Sequence, residues 1–324
     1  YSHQEADHVL YPYLQMDAVY DDTGRLNAGY QVTGLPGFVR SVRIQAYFSR
    51  VDHWMTDEYR SSSLNRPREY SMGTLAGTQA LGGKIETELG SVKAGIEAYH
   101  REWNASTGLA GAGYAPQYSI PDVRTDSFGL YSEYSRSLSD RVRLSFGGRL
   151  DTVTTAADDA RANADLYYAY HSTRLTSKTN NYPSGNVRLS VKAPLGLQFS
   201  GGIGHTVRVP DARERYFALK RMGTDWVGNP GLEPSRNTGL DGGVSFRHEG
   251  LLLESSLYFN RIGDFVTVIP QAKVNMVAGV MNGNARTYLN ADARIYGGEV
   301  LVSYLLSTRL FLSSDLSFVR GTRA

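Results

Sequence analysis

Two side chains that suit a soft metal ion lie two residues apart within residues 51–57. His53 carries an imidazole and Met55 a thioether, and side chains two apart along a β-strand lie on the same face. An imidazole beside a thioether favours copper, especially the reduced ion, whereas a thioether is a poor ligand for ferric iron. The pair makes an incomplete site, and the alternative is that both are ordinary side chains of a polar face.

Other groups that could do chemistry carry weaker signals. Met276 and Met281 could add thioether ligands from residues 270–286, although methionine in a loop more often covers an apolar neighbour. The chain has no cysteine, which excludes a thiolate metal site and a cysteine nucleophile. The acidic residues show no spacing that singles out a carboxylate pair for acid–base catalysis. We therefore predict no enzymatic activity and no permanently bound cofactor.

Composition limits the partners and the way in which the chain could enter a membrane. The 324 residues carry 34 basic and 32 acidic side chains, well mixed, so no basic face predicts nucleic-acid binding. No stretch approaches the roughly 18 consecutive apolar residues of a membrane helix. If the chain lies in a membrane, it must form part of a closed barrel, because lipid cannot satisfy the open edge of a sheet.

Strict alternation of apolar and polar residues recurs along the chain, most clearly over residues 141–151. About thirteen such segments occur, many of them about ten residues or longer, against about 5–6 residues for strands of soluble sheets. Long alternating strands predict an all-β fold, a transmembrane antiparallel β-barrel with apolar side chains toward lipid and charged side chains toward the lumen. We expect Val142, Leu144, Phe146, Val187, Leu189, Val191, Leu240, Val244 and Phe246 to face lipid, and Arg143, Arg149, Arg188, Lys192 and Asp241 to face the lumen.

The connections between these segments alternate between short turns and long polar stretches. Outer-membrane barrels have short turns on the periplasmic side and long loops outside the cell. A soluble β-sandwich that binds glycans or proteins also alternates, and it is the alternative from another class. The predicted short turns lie near 90–91, 138–140, 194–196, 248–250 and 307–308, and the predicted external loops near 57–69, 107–121, 158–181, 207–237 and 270–286.

One longer motif is more specific than the alternation. It begins as Arg-x-Pro followed by an acidic and aromatic stretch and ends as Gly-Asn-Pro-x-Leu-x-Pro before a strand. This pattern resembles the most recognisable barrel element of TonB-dependent outer-membrane receptors, with Ser235 where that family usually has an acidic residue. Each proline restrains its own φ and moves the preceding residue out of the helical region, so the motif also reads as turn chemistry. The matching residues are Arg208, Pro210, Glu214, Tyr216, Gly228, Asn229, Pro230, Leu232 and Pro234.

The resemblance implies a larger protein than this chain. It implies a barrel of about 22 strands with a plug inside, of which residues 1–324 would be one segment of about thirteen strands without the plug. It further implies the bacterial outer membrane, a TonB complex that contacts the missing N-terminal part, and active uptake of a small metal-containing ligand. Residues 51–57 resemble copper-type and some siderophore receptors, so the expected cargo is copper or an iron siderophore. A passive porin-like barrel is the nearest alternative.

Overall fold

A computed structural model of the chain describes residues 1–63, 70–109, 117–221, 223–274 and 283–323. Nearly all of its regular structure is β-strand, and no described helix has the length and apolar character needed to cross a membrane. Two helices, α1 (Ala164–His171) and α2 (Ala212–Tyr216), and two short strands, β10 (Ala218–Leu219) and β11 (Asp225–Val227), lie between the long strands. The long strands are β1 (Ser2–Val9), β2 (Asp17–Thr33), β3 (Val39–Thr56), β4 (Met72–Leu89), β5 (Val92–Leu109), β6 (Gln117–Ser137), β7 (Val142–Ala156), β8 (Ser177–Lys192), β9 (Leu197–Arg208), β12 (Ser235–His248), β13 (Leu251–Ala272), β14 (Asn284–Ser307) and β15 (Leu310–Arg323).

All the described strands belong to one sheet. The thirteen long strands pair antiparallel in chain order, with β9 pairing directly with β12 because β10 and β11 lie outside this series. β11 instead pairs in parallel with the first residues of β14. Within the described residues β1 and β15 form the two edges and do not pair with each other, so the sheet is an open part of a barrel wall. The prediction of a partial all-β barrel of about thirteen strands is confirmed.

The pairing register divides the sheet into two faces. Phe146 lies opposite Tyr134 and Val187, and Val187 lies opposite Ile203. This face, the outer face, is apolar, and Phe146, Val187 and Ile203 remain 48%, 47% and 53% exposed. No second sheet covers the outer face in the described part of the chain. The nine residues expected to face lipid all lie on the outer face, and the five expected to face the lumen lie on the opposite, inner face.

Several strands are longer than the alternating sequence pattern predicts, and they extend into segments predicted as long loops. β6 begins at Gln117 and β8 at Ser177, inside segments that the sequence pattern assigns to loops. The first five residues of β8 are Ser, Lys, Thr, Asn and Asn, so neither face carries an apolar series. A strand that has passed the lipid needs no apolar outer face, because backbone pairing alone continues it.

A small apolar core lies where the long connections meet the sheet. The helices α1 and α2 and the short strands β10 and β11 contribute Leu166, Tyr167, Tyr216 and Ala218 to this core, with Val227 beside them. The wall contributes Ile120 and Val123 of β6, which are 1% and 0% exposed. The segment between β9 and β12 therefore folds back onto the inner face, and this loop-end core covers part of that face.

Candidate functional site

His53 lies near the loop end of β3 on the inner face. Its cross-strand neighbours are Asp21 of β2 and Ala76 of β4. The ring nitrogen Nδ1 lies 2.8 Å from a carboxylate oxygen of Asp21, and the two side chains are 20% and 30% exposed. Ala76 packs against the loop-end core, so His53 is at the edge of that core and faces the interior space beside it.

Met55 follows two residues later on the same inner face. It lies opposite Ala18, which is fully buried, and Thr74 of β4. Two residues of strand separate the Cα atoms of His53 and Met55 by about 7 Å. At that spacing on one face, an imidazole and a thioether can contact the same ion.

Asp57, which follows this strand, has a structural role in the turn after it. Its carboxylate accepts hydrogen bonds from the backbone N–H groups of Ser71 at 2.7 Å and Met72 at 2.9 Å. The side chain is 2% exposed, so its hydrogen bonds stabilise the connection from β3 to β4. Met276 and Met281 lie outside the described residues, and their proposed role as additional ligands has no structural description.

The first half of the sequence motif forms a helix start at the end of β9. The carboxylate of Glu214 accepts two hydrogen bonds from the guanidinium of Arg208, at 2.9 and 3.1 Å. It also accepts one from the backbone N–H of Asp211 at 2.8 Å, which makes a capping box at the N-terminus of α2. Asp211 in turn forms an ion pair with Arg101 of β5. The motif therefore anchors α2 to the barrel wall, and Pro210 is buried beside it.

Replacing Glu214 with alanine should loosen α2 without disturbing the barrel. The side chain caps the helix start, so its loss is expected to lower local stability by about 0.5–2 kcal/mol. The measurement is hydrogen exchange of the amides of residues 211–217 in the complete receptor. Glu214→Gln is the control, because glutamine also completes a capping box. Equal acceleration in the alanine and glutamine variants would contradict the capping role and assign the effect to the charge pair with Arg208.

Tyr216, the last residue of α2, is the centre of the loop-end core. It is fully buried, its hydroxyl donates to the backbone carbonyl of Thr155 at 3.1 Å, and its own carbonyl accepts from the hydroxyl of Tyr167 at 2.6 Å. Burial raises the pKa of Tyr216 to about 12 and raises the pKa of Tyr167 as well. Both hydroxyls are therefore uncharged donors at physiological pH.

The second half of the motif returns the chain to the sheet. The N–H of Gly228 donates to the carbonyl of Phe217 at 2.7 Å, and a Cβ on Gly228 would meet the Arg215 backbone at 2.6 Å, so only glycine fits. The side chain of Asn229 donates to the carbonyl of Tyr288 on β14 at 3.0 Å. Leu232 is fully buried and packs with Tyr288 and Val266. Pro230 and Pro234 are buried beside it.

The inner face below the site is lined by paired charges. Arg149 forms ion pairs with Asp151 at 2.7 Å and with Glu97 at 3.0 Å. On the neighbouring strands Glu86 accepts from the hydroxyl of Tyr131 at 2.8 Å and lies 3.2 Å from the ammonium of Lys93. Polar side chains that pair with one another therefore line this part of the inner face.

The pairing of β2 with β3 adds a residue that the sequence motif does not reveal. Asp21 precedes His53 by 32 positions, and its carboxylate reaches the imidazole only because the register of the two strands places them opposite each other. A bulge between Ala18 and Tyr20 adjusts this register. Since no local spacing encodes a cross-strand pair, only a prediction of the strand register could have identified Asp21.

A comparison with protein families gives a match over almost the whole chain. The family described as "TonB dependent receptor-like, beta-barrel" matches residues 7–324. No curated protein sequence matches the chain.

Several solved structures share the fold at low sequence identity. "Copper transporter OprC" is 19% identical with a TM-score of 0.75, covering 96% of this chain and 48% of that one. The FrpB iron transporter from Neisseria meningitidis (F3-3 variant) is 15% identical with a TM-score of 0.62, covering 95% and 45%. The Serratia marcescens hemophore receptor HasR, solved with its hemophore HasA and heme, is 13% identical with a TM-score of 0.62, covering 95% and 50%. The chain thus spans about half the length of these structures, and with the motif at β9–β12 and the family match it belongs to the TonB-dependent receptor β-barrel family.

Proposed function

We propose that the complete receptor takes up copper, as the ion or as a small complex, across the bacterial outer membrane. The observation that carries this proposal is the hydrogen bond between His53 and Asp21, with Met55 two residues away on the same face. Energy would come from the TonB complex through the N-terminal part of the receptor. The metal is the cargo of this site and is released onward, so it is not a resident cofactor.

The contact with Asp21 prepares His53 for metal binding. Metal-ligating histidines usually donate their other ring N–H to a carboxylate, which sets the tautomer and raises the basicity of the ligating nitrogen. With Nδ1 engaged by Asp21, the nitrogen that remains for an ion is Nε2. Nε2 beside a thioether makes a soft pair of ligands, which suits cuprous copper and disfavours ferric iron. Met276 and Met281 belong to the same proposal as further thioether ligands from their loop.

The position of the pair agrees with a capture role. Arg50 and Asp52 lie on the outer face just before it, and they form an ion pair at 2.7 Å with side chains 57% and 38% exposed. Charges on the outer face indicate that β3 has left the hydrocarbon at this level. His53 and Met55 would therefore meet a substrate that enters from the external loops, before it reaches the polar inner face.

The named structures are described with several kinds of cargo, including heme for HasR. One is described as a copper transporter, another as an iron transporter, and a further one, FauA from Bordetella pertussis, as an alcaligin receptor with 11% identity and a TM-score of 0.56. Sequence identity at this level does not transfer a substrate. The donor set of His53 and Met55 favours copper over an iron siderophore, so uptake of an iron siderophore is the second candidate.

The test is metal accumulation by cells that carry the complete receptor. We expect accumulation of copper under copper limitation to depend both on the receptor gene and on TonB, and accumulation of ferric siderophores to be independent of the receptor. Copper accumulation that needs the receptor but not TonB would indicate a passive barrel. Receptor-dependent accumulation of iron alone would replace copper with the siderophore alternative.

A further inference from the structure

Three arginines lie together on the outer face near the loop end of the last three strands. Arg261 of β13 is directly opposite Arg294 of β14. Arg320 of β15 lies opposite Tyr296, and it is therefore a diagonal neighbour of Arg294. All three side chains are exposed. We call these three residues the arginine cluster.

Among the described residues, carboxylates balance only part of the positive charge of the arginine cluster. Like charges directly opposite each other in a sheet repel. In the part of the chain that the structure describes, none of the three guanidinium groups forms an ion pair, whereas Arg236 on the neighbouring strand pairs with Asp264 at 2.7 Å. Asp292 lies two residues from Arg294 on β14, and its carboxylate, which accepts a hydrogen bond from the backbone N–H of Asp264 at 3.2 Å, contributes one negative charge beside three guanidinium groups. An anion placed between the arginines would relieve their repulsion.

The residues below the cluster show at what depth it lies. Moving away from the loop end, the next outer-face residues on the three strands are Phe259, Tyr296 and Phe318. The side chains of Phe259 and Tyr296 are 45% and 36% exposed, and the apolar Leu257 continues the face at 61%. Aromatic side chains at the edge of an apolar band mark the boundary between hydrocarbon and water. The arginine cluster is therefore at the level of the lipid headgroups.

The orientation of the strands indicates which leaflet of the membrane the arginine cluster faces. β12 connects to β13 through two residues and β14 to β15 through two residues, and both short turns lie at the end opposite the cluster. In the membrane topology proposed above, that end is periplasmic, and the cluster faces the external leaflet. Guanidinium groups bind phosphate through paired hydrogen bonds, and several of them close together suit a headgroup with more than one phosphate.

We propose that the arginine cluster is a docking site for a phosphorylated glycolipid of the outer leaflet. The phosphates would lie between Arg261 and Arg294, with Arg320 beside them, and the acyl chains would cover the apolar outer face below Phe259 and Tyr296. This proposal rests on the proposed membrane orientation of the barrel, and it is independent of the copper ligands at His53 and Met55, which lie on the inner face of β3.

The test compares lipid retention by the complete receptor and its variants. The receptor is exchanged into detergent with purified bisphosphorylated lipid A, or with the same lipid after enzymatic removal of its phosphates, and the lipid that remains bound is counted by native mass spectrometry. The variant is Arg261→Gln with Arg294→Gln. The matched control is Arg124→Gln, because Arg124 also lies on the outer face near the loop end but is paired with Glu102 at 3.1 Å. A further arm adds inorganic phosphate as a soluble competitor.

We expect the double variant to retain at least about tenfold less phosphorylated lipid, since two charge-assisted contacts are lost. The Arg124→Gln receptor should retain the wild-type amount, the dephosphorylated lipid should bind weakly to every form, and inorganic phosphate should not displace the lipid. Equal retention by the double variant and the wild type, or equal binding of the dephosphorylated lipid, would overturn the proposal. Displacement by inorganic phosphate would identify an anion site without lipid and would also overturn it.

Thermal unfolding separates lipid binding from a merely structural role. Without lipid, the double variant should unfold at the same temperature as the wild type or higher, because a repulsive cross-strand pair has been removed. With lipid A, only the wild type should gain stability. A double variant that is less stable in the absence of lipid would indicate that the arginines stabilise the barrel directly, which contradicts the docking role. Copper binding should be equal in both forms, so failure of the copper proposal remains distinguishable.

Discussion

Replacing His53 and Met55 together with alanine should weaken binding of cuprous copper to the complete receptor by more than roughly 100-fold. The expectation follows from the loss of both proposed ligands, since removing only an outer partner of a metal-ligating histidine typically costs about 10–100-fold. Asp21→Asn tests that intermediate effect, because it keeps the shape of the side chain that contacts His53 and removes its charge. Affinity is measured by competition with a copper(I) chelator of known strength.

The matched control for this pair is Ser49→Ala with Val51→Ala. These residues are also two apart on the inner face of β3, but they offer no soft ligand. Ferric-siderophore binding should be the same in all these receptors, because a thioether contributes little to a hard ion. Unchanged copper affinity in the His53 and Met55 variant would reject their ligand role, and the substrate would then be recognised elsewhere in the receptor.

Replacing Val187 with arginine should destabilise the barrel by about 2–4 kcal/mol if the outer face lies in lipid. Val187 is in the apolar part of β8, and its cross-strand neighbours Phe146 and Ile203 are also apolar outer-face residues. A guanidinium there would have to leave water without any partner on the sheet. The measurement is the free energy of unfolding of the complete receptor from lipid vesicles in a denaturant.

The adjacent residue supplies the control for that experiment. Asn186 lies on the inner face between Gly147 and Gly204, where a larger polar side chain has space and water. Asn186→Arg should therefore cost far less than Val187→Arg. Similar losses for both substitutions would contradict a lipid-facing outer face, because the cost would not depend on which face receives the charge.

Within the apolar band, local pattern was enough to predict the strands and their faces. Within the hydrocarbon one face of each strand must be apolar and the other can be polar. The residue types of Leu144 and Arg143 are therefore enough to predict which face each side chain lies on. The turn at Asn229 and Pro230 could also be predicted from sequence, since proline restricts the backbone within a few residues. Beyond the lipid that constraint ends, and the polar start of β8 at Ser177 was not predicted as strand.

Contacts between distant segments needed the three-dimensional structure. The carboxylate of Asp21 reaches His53, and the guanidinium of Arg261 lies opposite Arg294, because strand pairing brings residues about 30 positions apart into the same row. The folding of α2 and Tyr216 onto β6 likewise depends on a long connection that crosses back over the inner face.

The amino-acid sequence therefore predicts the β-barrel, the faces of its strands and a pair of candidate soft ligands, because each depends on residue types a few positions apart. The strand register, the carboxylate that orients His53 and the unbalanced charge at Arg261 and Arg294 follow only from how the strands align. A shift of one residue between β2 and β3 would turn Asp21 or His53 to the other face and separate the two side chains. Alignment is selected by the packing and hydrogen bonding of the whole sheet, and no short segment contains that information.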